Sequence, residues 1–324
     1  MLAVYTDKGI SVIQDYPAPT VPSGWALIRV LYAGICRTDL EIVKGYADFQ
    51  GVPGHEFSGV VETCDAPEWI GKRVTGGINV GCGRCGMCAK GIPAHCRSRR
   101  SLGIRGLDGG MAEYVTLPVS NLVEIPAFLD DRSAVMIEPF AAACRVIEKV
   151  DIDRDNHAVV LGDGKLGILC AWALATVMEH VTLSGRHDEK LAPAAWKELR
   201  TVGKTENPPP DADLVVEATG SPSGLTEALD LCRPLGTVVL KSTVNDPARL
   251  NLSTAVVNEI TIQGSRCGDF HQAAEVLHRY PDMPLSRLVT DVFPAHEAKE
   301  AFRRAGESDA LKVLLDFTDC SGAG

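Results

Sequence analysis

HAVVLGDGKLGILCAWALATV, residues 157–177, is the stretch on which the fold turns. Five residues rich in β-branched and apolar side chains lead into a glycine-punctuated turn, and an unbroken apolar run of helix formers follows. That is a buried strand, a tight turn and a buried helix. Outward from it the same rhythm continues. HVTLSG (180–185), DLVVEATG (213–220), GTVVLKST (236–243) and EITIQGSRC (259–267) read as further strands, with GLTEALDLC (224–232) as a helix between two of them. Strands that are apolar without alternation, interleaved with helices, indicate a parallel sheet covered on both faces.

The turn itself is Gly162-Asp163-Gly164-Lys165-Leu166-Gly167, a GxGxxG set between strand and helix, the context a dinucleotide fingerprint requires. Gly162 allows the tight turn, Gly164 lets backbone approach a pyrophosphate, and Gly167 lets helix and strand pack closely. The helix start supplies amide donors to the phosphates. Lys165 and Leu166 in the turn, and Thr219, Ser242 and Arg266 at later strand ends, are further candidate cofactor contacts. The acid expected about 20 residues on, which would bind the ribose hydroxyl, is missing. The second strand ends instead in Ser184-Gly185-Arg186-His187. A small residue followed by Arg186 and His187 suits a 2′-phosphate, so NADP is expected over NAD.

The first third has a different texture. Short strands at ALIRVLYAGI (26–35), FSGVVETC (57–64) and AEYVTLP (112–118) alternate with Gly- and Pro-rich loops. Around 141–150, AAACRVIEKV reads as a helix. After residue 269 two amphipathic helices, FHQAAEVLHRY and AHEAKEAFRRAG, precede a final strand, ALKVLLDF (310–317). The length, 324 residues, suits two domains better than one.

Four of eleven cysteines crowd into one loop as Cys82-x2-Cys85-x2-Cys88-x7-Cys96. That spacing lets four thiolates surround one zinc tetrahedrally, and Gly81, Gly83, Gly86 and Gly91 let the loop wrap it. A redox dithiol and an iron–sulfur cluster are the rival readings, and a dithiol leaves two cysteines unexplained. His95 is an alternative to Cys96. Cys144, Cys170 and Cys232 lie in apolar or helical contexts and read as core. A second, dispersed set offers Cys36 in GICRTD, His55 and Glu56 in GHEFSG, and Glu138 in IEPF. Spacing cannot bring these together.

The ordered series GICRTD, GVPGHEFSG, the cysteine lobe, IEPF and GxGxxG, with a late GSRCG and ALKVLL, resembles the zinc-containing medium-chain dehydrogenase/reductase (alcohol dehydrogenase) superfamily over nearly the whole chain. It looks closest to the bacterial branch of threonine-, polyol- and sugar-dehydrogenase-like proteins. The resemblance implies a GroES-like β-rich catalytic domain (1–142) and a doubly wound Rossmann domain (143–268), with 269–324 completing the first, and the active site in the cleft between the two. It makes Cys36, His55 and Glu138 catalytic-zinc ligands, and Cys82, Cys85, Cys88 and Cys96 structural-zinc ligands. Thr38 becomes the hydroxyl that starts a proton relay. Asp39 and Glu56 become carboxylates that orient His55 or approach the metal, while Arg37 and Lys312 stand near the cofactor pyrophosphate. The implied activity is hydride transfer between NAD(P) and a secondary alcohol, polyol or sugar, with Tyr46, Phe49 and Phe140 lining the pocket. Two departures stand out. Glu41 replaces the histidine of longer relays, and 191–210 is compact and atypical.

Charge and composition bound the partners. A net charge of −10 disfavours nucleic acid and anionic membranes as partners of the whole molecule. It therefore weighs against the rival reading, a zinc-stabilised interaction module carrying Arg97, Arg99, Arg100 and Arg105. The start, MLAVYTDKGI, lacks a basic region before an apolar run, and no stretch approaches the roughly 20 apolar residues of a membrane span. A cytoplasmic homodimer or homotetramer is expected, the superfamily assembling through its Rossmann domain.

Overall fold

The computed structural model describes residues 1–243 and 251–322. They form two compact units. One comprises Met1–Glu138, Ala274–Pro281 and Leu285–Gly324, the other Pro139–Ala273 and Asp282–Pro284.

In the second unit, six strands run parallel in the order Arg200–Val202, His180–Ser184, His157–Leu161, Ala212–Glu217, Cys232–Leu240, Thr261–Gly264. Numbered along the chain that order is 3-2-1-4-5-6, the doubly wound Rossmann arrangement. Its switch point falls beside His157–Leu161, where such sheets bind dinucleotides. Val159, Val160, Val215, Val216, Val238 and Val239 are wholly buried, as strands covered on both faces must be. The helix Lys165–Leu174 is buried from Gly167 to its end, which is why its sequence is apolar all round. Trp172 within it donates its indole N–H to the Ala194 carbonyl (2.7 Å) and meets Trp196 edge-on. These two rings anchor the atypical 191–210 segment.

In the first unit, Trp25–Ile35 is the central strand. Glu56–Cys64 pairs antiparallel on one side and Lys312–Asp316 on the other, with Tyr114–Pro118 pairing its first half. The register sets Gly34 opposite both Glu56 and Leu314. Burial alternates along the first half of Trp25–Ile35, as expected of a sheet with one covered face.

Two elements differ from the sequence expectation. The helix read at 141–150 instead spans Ile137–Cys144, and only a short 3₁₀ turn, Ile147–Lys149, follows. Pro139 lies in the first turn of this helix, where an amide has no intrahelical partner to lose. The strand read from residue 236 starts at Cys232. Among the described residues no helix is long and apolar enough to cross a membrane.

Candidate functional site

The segment GICRTD folds as a helix start. Cys36 is the N-cap of Arg37–Val43, its Sγ accepting from the Thr38 amide (3.2 Å), while Asp39 Oδ2 accepts from the Cys36 amide (2.8 Å). This reciprocal box fixes the Cys36 rotamer. The other Asp39 oxygen accepts from the Gly54 amide (3.2 Å), tying this helix to the loop that carries His55. The result is a buried cluster. His55 Nε2 lies 3.1 Å from Cys36 Sγ, and two trios of donor atoms overlap on His55: Cys36, Asp39 and His55, then His55, Glu56 and Glu138. Within each trio the ligand atoms lie within 4.8 Å of one another.

Burial opposes charge on the His55 ring, but Cys36, Asp39 and Glu138 outweigh it and push its pKa up to about 10. So much negative charge around one imidazole suits a bound cation. His55 Nδ1 is buried without a hydrogen-bond partner among the described residues. Asp39 Oδ1 is 3.7 Å away, an ion-pair distance too long for a hydrogen bond. Soft and imidazole donors beside a carboxylate fit zinc.

Lys312, which the resemblance sets near the cofactor pyrophosphate, is fully buried, forming an ion pair with Glu56 and donating to the Ile35 carbonyl (3.2 Å). The central strand makes room for the pair with Gly34, where a Cβ would lie 2.7 Å from Glu56 Oε2. Burial lowers the Lys312 pKa to about 8. Arg37 is exposed and pairs with Glu41 (3.1 Å), so the residue standing in the relay neighbourhood is engaged by an arginine. Thr38 is half-buried beside Cys36. Of the three pocket candidates, Tyr46 is exposed, whereas Phe49 and Phe140 are buried.

The cysteine lobe is local, and its four sulfurs converge within 4.8 Å. The fourth is that of Cys96, and His95 lies outside the set. A Cβ on Gly81 would strike Cys88 Sγ at 2.7 Å, so the loop closes on the sulfurs only through glycine. The amide of Arg84 and the Cys96 thiol lower the Cys82 pKa to about 6. The amide and thiol of Cys88 lower that of Cys85. Desolvation beside Cys85 pushes Cys88 up to about 11. All eleven cysteines are free, and Cys85 Sγ and Cys88 Sγ stand 3.6 Å apart. Four unbridged sulfurs in one closed loop fit a structural zinc. The nearby arginines have structural work: Arg99 donates to the Cys96 carbonyl and Arg100 stacks on Trp25.

At the dinucleotide turn, Gly162 has φ +115°, and a Cβ on Gly167 would sit 1.9 Å from the Gly162 carbonyl oxygen. A Cβ on Gly164 would meet nothing within 4 Å, leaving its face open to a ligand at the start of the helix. Lys165 and Leu166 are half-exposed there. Thr219 and Ser242 come together on Glu217, whose Oε1 accepts from both hydroxyls (2.5 and 3.1 Å). Arg266 is exposed, its carbonyl accepting from buried Lys241 (2.9 Å). Arg186 pairs with Glu227 (3.1 Å), and the His187 ring with Asp163 (3.0 Å). Sequence reasoning did not single out Asp163 or Glu217. The available signal was an acid inside the fingerprint of a chain whose second strand lacks one.

Known proteins share this fold. Residues 22–127 match the alcohol dehydrogenase GroES-like domain, and residues 132–317 match the glucose dehydrogenase C-terminus. The chain belongs to the zinc-containing medium-chain dehydrogenase/reductase (alcohol dehydrogenase) superfamily. A sorbitol dehydrogenase of Halalkalibacterium halodurans is 29% identical, over 96% of this chain and 97% of that protein. A short chain alcohol dehydrogenase (rspB) of Escherichia coli CFT073, solved with NADH, aligns with a TM-score of 0.88 at 28% identity, covering 98% of this chain and 99% of that one. A zinc-binding dehydrogenase of Sinorhizobium meliloti 1021 bound to NADP aligns with a TM-score of 0.86 at 27% identity, over 97% and 98% of the two chains.

Proposed function

We propose that this chain is a cytoplasmic polyol, sugar or secondary-alcohol dehydrogenase, holding two zinc ions and favouring NADP over NAD. The observation that carries the reading is the overlap of two buried donor trios on His55. Cys36, His55 and Glu138 would hold the catalytic zinc, and Cys82, Cys85, Cys88 and Cys96 the structural one. When bound, the zinc would supply a Lewis acid that makes an alcohol hydroxyl more acidic, and the nicotinamide would supply a hydride acceptor.

The protein's own groups do the rest. The Thr38 hydroxyl, beside Cys36, receives the alcohol proton and passes it outward. Asp39 locks Cys36 by its amide and lies alongside His55, so one carboxylate positions two donors. Lys312 neutralises Glu56 behind His55. The open face of Gly164 and the amides that follow it receive the pyrophosphate. Gly185 presents no carboxylate to a 2′-phosphate, and the exposed Arg186–Glu227 pair costs little to break, about 0–1 kcal/mol. Val256, Val257 and Leu235, 75%, 79% and 67% exposed, lie close to the edge strand Thr261–Gly264 in sequence or by hydrogen bond, and they favour a homodimer or homotetramer assembled there.

The test is a panel of polyols, sugars, secondary alcohols and simple primary alcohols assayed with each cofactor. Turnover concentrated among polyols, sugars and secondary alcohols, faster with NADP, is expected. A purified, zinc-loaded enzyme that oxidises only primary alcohols, or that prefers NAD by more than about tenfold, would refute the corresponding part.

A further inference from the structure

Asp163 stands between the first two glycines of the fingerprint, where the tight turn itself requires no acid. Its side chain reaches from the end of the strand His157–Leu161 to the end of the neighbouring strand His180–Ser184. There Oδ2 accepts from the Arg186 amide (2.5 Å) and the His187 amide (2.7 Å), and lies 3.0 Å from the His187 ring nitrogen Nδ1. The carboxylate is mostly buried, so these contacts are held in a sheltered place where charge counts.

Gly185 is tied to this arrangement. A Cβ there would lie 2.4 Å from Asp163 Cβ and 2.6 Å from Asp163 Oδ2, distances no side chain could accommodate without displacing the acid. Gly185 also stands where sites for the unphosphorylated cofactor carry their carboxylate on the second strand. The two positions are complementary. Glycine replaces the acid on the second strand, and an acid from the first turn fills the space the glycine leaves.

We propose that Asp163 is a specificity-determining residue of the dinucleotide site: its carboxylate substitutes for the acid missing from the second strand and limits the preference for a 2′-phosphate that Arg186 and His187 create. The proposal rests on the reading of those two residues as the 2′-phosphate side of the site. At this turn both side chains already face a carboxylate, Arg186 that of Glu227 and the His187 ring that of Asp163. An incoming 2′-phosphate therefore meets an arginine already engaged by Glu227, with the Asp163 carboxylate held beside the turn. A ribose hydroxyl instead finds an acceptor in Asp163 Oδ1, which takes none of the three bonds above.

The experiment is calorimetric titration of the full chain with 2′,5′-ADP and with 5′-AMP, comparing wild type with Asp163→Asn and Asp163→Ser. Both variants remove the charge while keeping an oxygen for the turn amides. The affinity ratio, 2′,5′-ADP over 5′-AMP, should rise by about tenfold in each, the effect of removing one sheltered charge near a phosphate. A ratio that stays within twofold of wild type, or moves toward 5′-AMP, would overturn the proposal. Loss of fold in both variants, read by circular dichroism, would overturn it too, because Asp163 would then be a structural residue. A wild type that binds 5′-AMP but gains nothing from the 2′-phosphate, with both variants gaining strongly, would uphold Asp163 and refute the NADP preference instead.

Discussion

Replacing Lys312 with methionine separates two roles for this residue, and the structure sets the size of the effect. Lys312 is fully buried and Glu56 nearly so, with the ammonium shared between the Glu56 carboxylate and the Ile35 carbonyl. Methionine preserves the bulk and removes the charge. Breaking a buried pair by deleting one partner costs about 3–5 kcal/mol, because the other charge is left uncompensated. Glu56 can escape part of that by taking a proton, so the lower end, about 3 kcal/mol, is expected near neutral pH. With a urea slope of roughly 2–3 kcal/mol/M, the unfolding midpoint of this unit falls by about 1 M. Intrinsic fluorescence during urea titration reads it. Adding Glu56→Gln to the methionine variant should recover much of the loss, since the stranded charge is then gone. An unchanged midpoint together with weaker cofactor binding would refute this account and return Lys312 to the pyrophosphate role its sequence position suggests.

Three further outcomes follow from the same geometry. Cys85→Ser should lose about one zinc per chain and lower the melting temperature, because a structural zinc contributes folding free energy directly; unchanged metal content and melting would exclude the lobe as a zinc site. Thr38→Val keeps the shape beside Cys36 and removes the hydroxyl, and turnover should fall by roughly 10²–10⁴-fold; a variant within threefold of wild type excludes Thr38 as the relay. Asp130 caps the helix Asp131–Ala134, accepting from the Ser133 amide (2.9 Å) and hydroxyl (2.6 Å), and Asp130→Ala should cost about 1 kcal/mol. Burial raises the Asp130 pKa, but the Ser133 bonds outweigh it and hold it below the usual range. Its contribution is therefore present above the ordinary carboxylate pKa and disappears as pH falls through the lowered one. A wild-type advantage that grows on acidification contradicts the cap.

The parallel sheet could be read from sequence because its strands are buried on both faces, and continuous apolar runs such as HAVVL and DLVVE admit few other environments. The cysteine lobe was equally plain, since all four donors lie in one loop and spacing alone nearly closes the ring. The His55 cluster was not. Cys36, His55 and Glu138 come from a helix cap, a loop and a second helix, and only the order of motifs suggested their meeting. One local signal was present in it: Cys36 followed three residues later by Asp39 is a capping box, which predicts the rotamer that aims the thiol. The partners of Lys312 and Asp163 were hidden for another reason. Each acts through a neighbour on an adjacent strand, Glu56 in one case and the turn 185–187 in the other. Such partners depend on register and strand order, which no single segment carries.

Zinc content measured together with polyol-dependent nicotinamide reduction, in wild type and in Glu138→Ala, tests the two-site zinc enzyme most directly. Wild type should carry about two zinc ions per chain and turn over. Glu138→Ala should keep its fold, the zinc of the cysteine lobe and its cofactor affinity, while turnover is lost. Full turnover in Glu138→Ala, or an active wild type free of zinc, would contradict the assignment of Cys36, His55 and Glu138 as the catalytic metal site.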